Sequence, residues 1–147
     1  MKDLAEAVRS EVERAVRVFE RWSEKDALQS RAEGKWVRKE ILGHLIDSAF
    51  NNHQRFVRAQ LATSYVGPGY EQQAWVTVNG YRERPWRELV DLWVAANRHL
   101  AAVIARVPEA KLQTPCRIGD DEPETLEFVM KDYLRHMKHH LEQIETG

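Results

Sequence analysis

Apolar residues recur at steps of three and four from Lys2 to Trp22: Leu4, Val8, Val12, Val16, Phe19 and Trp22. At 3.6 residues per turn these positions share one face, so the pattern predicts a helix. Glu11, Arg14, Arg17 and Arg21 fall on its other side. Ser23 to Gly34 is polar, carries no stripe and reads as a connector with room for a short turn. A second helix is expected from about Trp36 to Ala62. Ile41, Leu45, Ser48, Asn52, Phe56 and Gln60 share one face there, with Leu42, Ala49 and Leu61 beside it. That face is more polar than a plain core stripe, and helices that are polar where they should be buried often line a site.

The stretch from Thr63 to Pro85 breaks the pattern. Gly67-Pro68-Gly69 interrupts any regular element, and Asn79-Gly80 fits a tight turn. Ala74 to Val78 reads as a short strand or an irregular buried crossover, with Tyr70 and Trp75 holding the segment down. A loop of this length in a compact domain is uncommon and tends to be functional or to cover something. Pro85 then fits a first helical position. The third helix carries Trp86, Leu89, Trp93, Asn97, Leu100, Ile104 and Val107, and Pro108 stops it. After a loop from Glu109 to Glu122, Pro123 is expected to open a fourth helix, with Leu126, Val129, Tyr133, His136, His140 and Ile144 inward. The expectation is an all-α single domain over residues 1–147, a four-helix bundle with a long crossover connection between its second and third helices.

Composition narrows the class. With 43% hydrophobic and 31% charged residues, the 147-residue chain is globular rather than disordered. The 22 basic residues balance 23 acidic ones, which argues against nucleic acid as a partner. No apolar run reaches the roughly 20 residues a membrane span needs. The N-terminus lacks the charged-then-apolar layout of a signal peptide, so a cytoplasmic location is expected. Cys116 is the only cysteine, which excludes an intramolecular disulfide and a cysteine-rich zinc site.

The six histidines change the picture. His136 and His140 stand four residues apart on a predicted helix, one turn above each other on its inward face. Two buried imidazoles need partners, and a divalent metal satisfies both. A bare i,i+4 pair also arises by chance on solvent faces, so a site needs a third ligand. His44, beside the inward face of the second helix, is the candidate. Three imidazoles leave coordination positions open, as catalytic sites do. His53, His99 and His139 fall off these faces and read as surface or supporting residues.

Two blocks carry a family resemblance. Trp36-Val37-Arg38-Lys39-Glu40-Ile41-Leu42-Gly43-His44-Leu45-Ile46-Asp47 resembles the W-S-x-x-E-x-x-x-H-L-x-D signature of the DinB-like superfamily of metal-binding four-helix bundles. His136-Met137-Lys138-His139-His140-Leu141-Glu142-Gln143-Ile144 resembles its closing H-x-x-x-H-x-x-Q-I. Their spacing matches too, and the resemblance covers nearly the whole chain. Val37 stands where the family pattern has a helix-capping serine, which weakens that helix start without touching a ligand. The resemblance implies a Zn²⁺ or Ni²⁺ site at His44, His136 and His140, and a homodimer. It further implies either a metal-dependent enzyme acting on a small molecule, of hydrolase or thiol S-transferase type with a low-molecular-weight thiol, or a non-catalytic metal-binding dimer in stress response or sensing.

An open three-histidine site can acidify water or hold a thiolate, and both uses need a nearby proton acceptor. Asp47, three residues after His44, is placed either as that base or as a carboxylate orienting a histidine. Asn51 continues its face, and Tyr133 lies one turn before His136 as core residue or donor. Arg55 and Arg58 could serve a carboxylate-bearing thiol, and Trp75 could wall a pocket. Cys116 has only Arg117 to activate it and reads as incidental.

Overall fold

The structure is a computed structural model and describes residues 1–146. Along the chain run α1 (Lys2–Phe19), α2 (Glu24–Ala27), α3 (Arg38–Gln60), β1 (Tyr65–Gly67), α4 (Gln72–Asn79), α5 (Trp86–Arg106), β2 (Pro115–Ile118), β3 (Glu124–Thr125) and α6 (Leu126–Thr146). The four long helices form the bundle. Helix α1 packs against α5 and α6, and α3 packs against the same two. Helices α1 and α3, consecutive among the long ones, therefore face each other diagonally. The seam between α3 and α6 is thereby open to side chains from both.

The periodic positions of α1 are buried as their spacing requires: Val8, Val12 and Phe19 are inaccessible or nearly so. Phe19 lies edge-on to Trp86 at 5.3 Å and tilted against Trp93 at 5.7 Å. Its carbonyl accepts the Trp86 indole N–H at 3.0 Å. This aromatic cluster closes one end of the core. Arg38, over the Trp22 ring at 4.1 Å, donates to the Ile144 carbonyl and ties the start of α3 to the end of α6.

Three local expectations are corrected. Ala74 to Val78 is neither strand nor irregular but part of α4, and Gly80, at φ +62°, ends it in the left-handed region. Only Val76 of that helix is buried, so a single anchor gave no stripe to read. Second, the long loops are not plain coil. β1 pairs with β2 in parallel, Tyr65 opposite Cys116, and β2 pairs with β3 antiparallel. The two loops satisfy their backbone groups in each other, which no local pattern reveals. Third, the last helix begins at Leu126 rather than at Pro123. Glu124 and Thr125 join the sheet first, and the Thr125 hydroxyl then accepts the Phe128 N–H at 3.1 Å.

The polar connector contains the single turn α2, capped reciprocally by Ser23 and Asp26. Helix α3 starts at Arg38 with Val37 at the cap position. Valine has no side-chain acceptor, so only half of a capping box forms: Glu40 accepts the Val37 N–H at 3.0 Å.

Candidate metal centre

Helix α3 carries His44 into the bundle, where it is completely buried. Helix α6 brings His136 and His140 to meet it, both half-buried. The Nε2 atoms of His44 and His136 are 3.2 Å apart. The ring centroids lie 5.1 Å apart for His44–His136, 4.7 Å for His44–His140 and 4.5 Å for His136–His140. One nitrogen from each ring falls within 4.8 Å of the other two. The structure thus gathers all three residues that the sequence marked as ligands.

Charge is unwelcome here. Burial pushes the His44 imidazole down to about 3, and its two histidine neighbours reinforce the shift. Burial likewise takes His136 down to about 4, and lowers His140. Neutral rings keep a lone pair free, as a metal ligand must. Each ring's other nitrogen sets which one is free. His140 Nδ1 donates to Gln143 Oε1 at 2.9 Å, which leaves Nε2 as the lone-pair atom. Gln143 is itself held by its amide N–H on His139 Nε2 at 3.1 Å. His44 Nδ1 is buried without a partner.

The donor set fits a divalent ion. Bonds of ~2.0–2.1 Å in a tetrahedral arrangement put neighbouring ligand atoms about 3.3 Å apart, close to the 3.2 Å seen between His44 and His136. Three neutral imidazoles suit zinc, nickel and neighbouring borderline ions, which geometry and supply distinguish rather than affinity.

A cavity of about 370 Å³ opens beside His136. Ser48, Asn52 and Tyr133 line it from the helices, and Tyr70 from the crossover. Tyr70 lies tilted against the ring of Trp75 at 5.2 Å, so Trp75 backs the wall rather than forming it. Arg55 is the only arginine or lysine among the described lining residues. It reaches the Pro68 carbonyl at 3.4 Å and lies over Tyr70, and burial lowers its pKa. Asp121, Glu122, Glu124 and Asp132 stand around the same opening. Arg58 is not in this lining and is engaged by Gln54.

Asp47 is buried on the turn after His44, but it makes no hydrogen bond to any of the three histidines. Its Oδ1 accepts Tyr81 Oη–H at 2.6 Å and the Asn79 amide at 3.0 Å. Its Oδ2 has no partner. Burial raises its pKa, and the Tyr81 hydrogen bond opposes that shift. Asn51 donates to the Asp47 carbonyl and does not reach the cavity. Tyr133 spends its hydroxyl on Asn97. Cys116 lines the cavity from β2, but burial raises its thiol pKa, the wrong direction for a nucleophile.

The sequence marked Gln143 only as part of the closing block and Asn79 only as a turn residue, and it assigned Tyr81 no role. Gln143 carried a usable signal, since it follows His140 by three residues and so lies on the same helix face. Tyr81 and Asn79 carried none, because their partner is more than thirty residues away.

A family model described as the DinB superfamily matches residues 6–144. Among solved structures, the chain is similar to YfiT from Bacillus subtilis, with a TM-score of 0.81 and 20% sequence identity. The match covers 99% of this chain and 82% of that one. YfiT is described as a probable metal-dependent hydrolase with an unusual four-helix bundle topology. No curated protein matches the chain significantly.

Proposed function

The chain belongs to the DinB superfamily, and from that premise we propose that it is a divalent-metal-dependent enzyme of hydrolase type acting on a small molecule. One observation carries the reading: three neutral imidazoles converge on a point beside a cavity large enough for a small substrate. The description of YfiT supports the choice of hydrolysis.

His44, His136 and His140 would hold the ion, with zinc or nickel the best suited. When bound, it would supply a Lewis acid and acidify a water molecule. The chain does the rest. Gln143 holds His140 in the tautomer that points Nε2 inward. Burial keeps the rings unprotonated near neutral pH. Ser48 and Asn52 offer hydrogen bonds along the cavity, and Arg55 offers a charge to an anionic end of the substrate. Asp47 makes no hydrogen bond to an imidazole; it has one engaged oxygen and one free, and Oδ2 is the atom through which it would accept a proton.

Thiol S-transfer is the second reading, favoured by Arg55. A cation beside the cavity suits the carboxylate of a low-molecular-weight thiol, and a metal can hold such a thiol as thiolate.

The test is metal content of untagged protein by mass spectrometry, followed by turnover of a panel of esters, amides and lactones. About one tightly held ion per chain is expected in the protein as purified, with hydrolysis abolished by chelation, restored by the ion, and absent in His136→Ala. The same panel with added thiols reads the second possibility. Protein that takes up no zinc or nickel refutes both readings. Stoichiometric metal without turnover of any kind leaves a metal-binding bundle that is not an enzyme.

A further inference from the structure

Outside this centre, a second pair of histidines meets across a helix seam. His53 projects from α3 and His99 from α5. Their Nε2 atoms are 3.2 Å apart, and their ring centroids 4.9 Å. His53 follows His44 by nine residues on the same helix, which places it ~13.5 Å further along the axis. His53 is half-buried and His99 exposed, so the pair is open to solvent. Among the described residues no carboxylate forms an ion pair with either ring, and the only side-chain hydrogen-bond partner of each ring is the other.

Two neutral rings can face each other nitrogen to nitrogen in two ways. Either one donates a proton to the other, or both direct lone pairs at a cation. On an exposed seam, water can satisfy each ring separately, so the shared proton is not needed to avoid a buried unpaired group. The 3.2 Å separation is also the one found between His44 and His136. An ion bonded at ~2.0–2.1 Å to both nitrogens would see them at an angle of about 100°, near tetrahedral.

We propose that His53 and His99 form a second, solvent-accessible metal site that takes a borderline divalent cation, Zn²⁺, Ni²⁺ or Cu²⁺, and clips α3 to α5. Water fills the remaining positions. With two protein ligands rather than three, it binds more weakly than the buried centre and exchanges faster. Cu²⁺ binds tightest of the three at a site of this kind. Because α3 also carries His44, the clip fixes the helix that presents the buried ligand. A ligand that binds only the folded chain raises its stability with concentration. The clip forms whether or not the buried centre is catalytic.

The experiment uses full-length untagged protein, with zinc and copper as the probes. Equilibrium dialysis counts bound ions in wild type, His53→Gln, His99→Gln and His136→Ala. The expected result is two ions per chain in wild type, the second about tenfold or more weaker, and one in each glutamine variant. In the double variant His44→Ala/His136→Ala, which leaves a single histidine in the buried centre, zinc should still raise the melting midpoint by a few degrees. Adding His99→Gln should remove that rise. Glutamine keeps a polar surface group, and circular dichroism checks that each variant is folded. The proposal is overturned if wild type and His99→Gln bind the same number of ions, or if the rise in His44→Ala/His136→Ala survives His99→Gln.

Discussion

Tyr81 donates its hydroxyl to Asp47 Oδ1 at 2.6 Å, joining residues thirty-four apart. The bond fastens the end of the crossover to the turn of α3 that follows His44. It depends on Gly43, because any Cβ at that position would collide with the Tyr81 ring. A hydrogen bond to a buried carboxylate contributes ~1.5–3 kcal/mol. Tyr81→Phe should therefore lower stability by about that amount, read as the shift in urea midpoint at pH 7. Gly43→Ala should destabilise as well, by displacing the ring. Unchanged midpoints in both would mean that the crossover is not anchored here.

Gln143 should matter to the metal and little to the fold. It orients His140 from the far side of the ring and sits half-buried near the end of α6. Loss of such an orienting partner typically costs 10–100-fold in metal affinity. Gln143→Leu should weaken zinc binding within about that range, measured by competition with a chromophoric chelator. Its melting temperature without metal should stay near that of wild type. Wild-type affinity in the variant would place the tautomer's control elsewhere.

Acid should weaken the metal-free protein from about pH 6.5 downward, where histidines of the unfolded chain begin to take up protons. In the unfolded chain each histidine takes a proton near pH 6.5, whereas burial holds His44 to about 3 and His136 to about 4. Between those values the unfolded chain binds more protons than the folded one, so stability rises with pH. Above about pH 6.5 neither state is protonated and the effect vanishes. Below it the folded state is penalised increasingly, down to about pH 4, where His136 begins to charge. Urea midpoints of chelated protein should thus fall from pH 7 to pH 4, and more shallowly in His136→Ala. An equal slope in the variant would show that His136 titrates normally.

Tyr133 and Asn97 form a buried polar pair between α6 and α5. The Tyr133 hydroxyl donates to Asn97 Oδ1 in a short bond, and the Asn97 amide donates to the Trp93 carbonyl at 2.9 Å. Asn97→Leu strands a buried hydroxyl, at a cost of ~1–3 kcal/mol. Tyr133→Phe strands the amide oxygen instead. The double variant should lose less than the sum of the two, since neither orphan remains. Strict additivity in a denaturation cycle would show that the two side chains act independently.

Much of this protein is decided locally. A helix needs only a 3.6-residue repeat of apolar positions, and the four long helices carry it in plain view. His136 and His140 share a face because four residues make about one turn. Its place beside the inward face of α3 makes His44 the candidate third ligand, the resemblance of two short blocks implies the same residue, and the fold and family agree with that resemblance. Tertiary structure decided what joins distant residues. Only packing of α3 on α6 puts His44 Nε2 at 3.2 Å from a residue ninety-two positions later. Backbone groups in two loops find each other as a sheet, Asp47 finds Tyr81, and His53 finds His99. The physical reason is common to all four. Periodicity records which side of an element is apolar, but partners across the core are chosen by how the elements cross and which polar groups must be satisfied there.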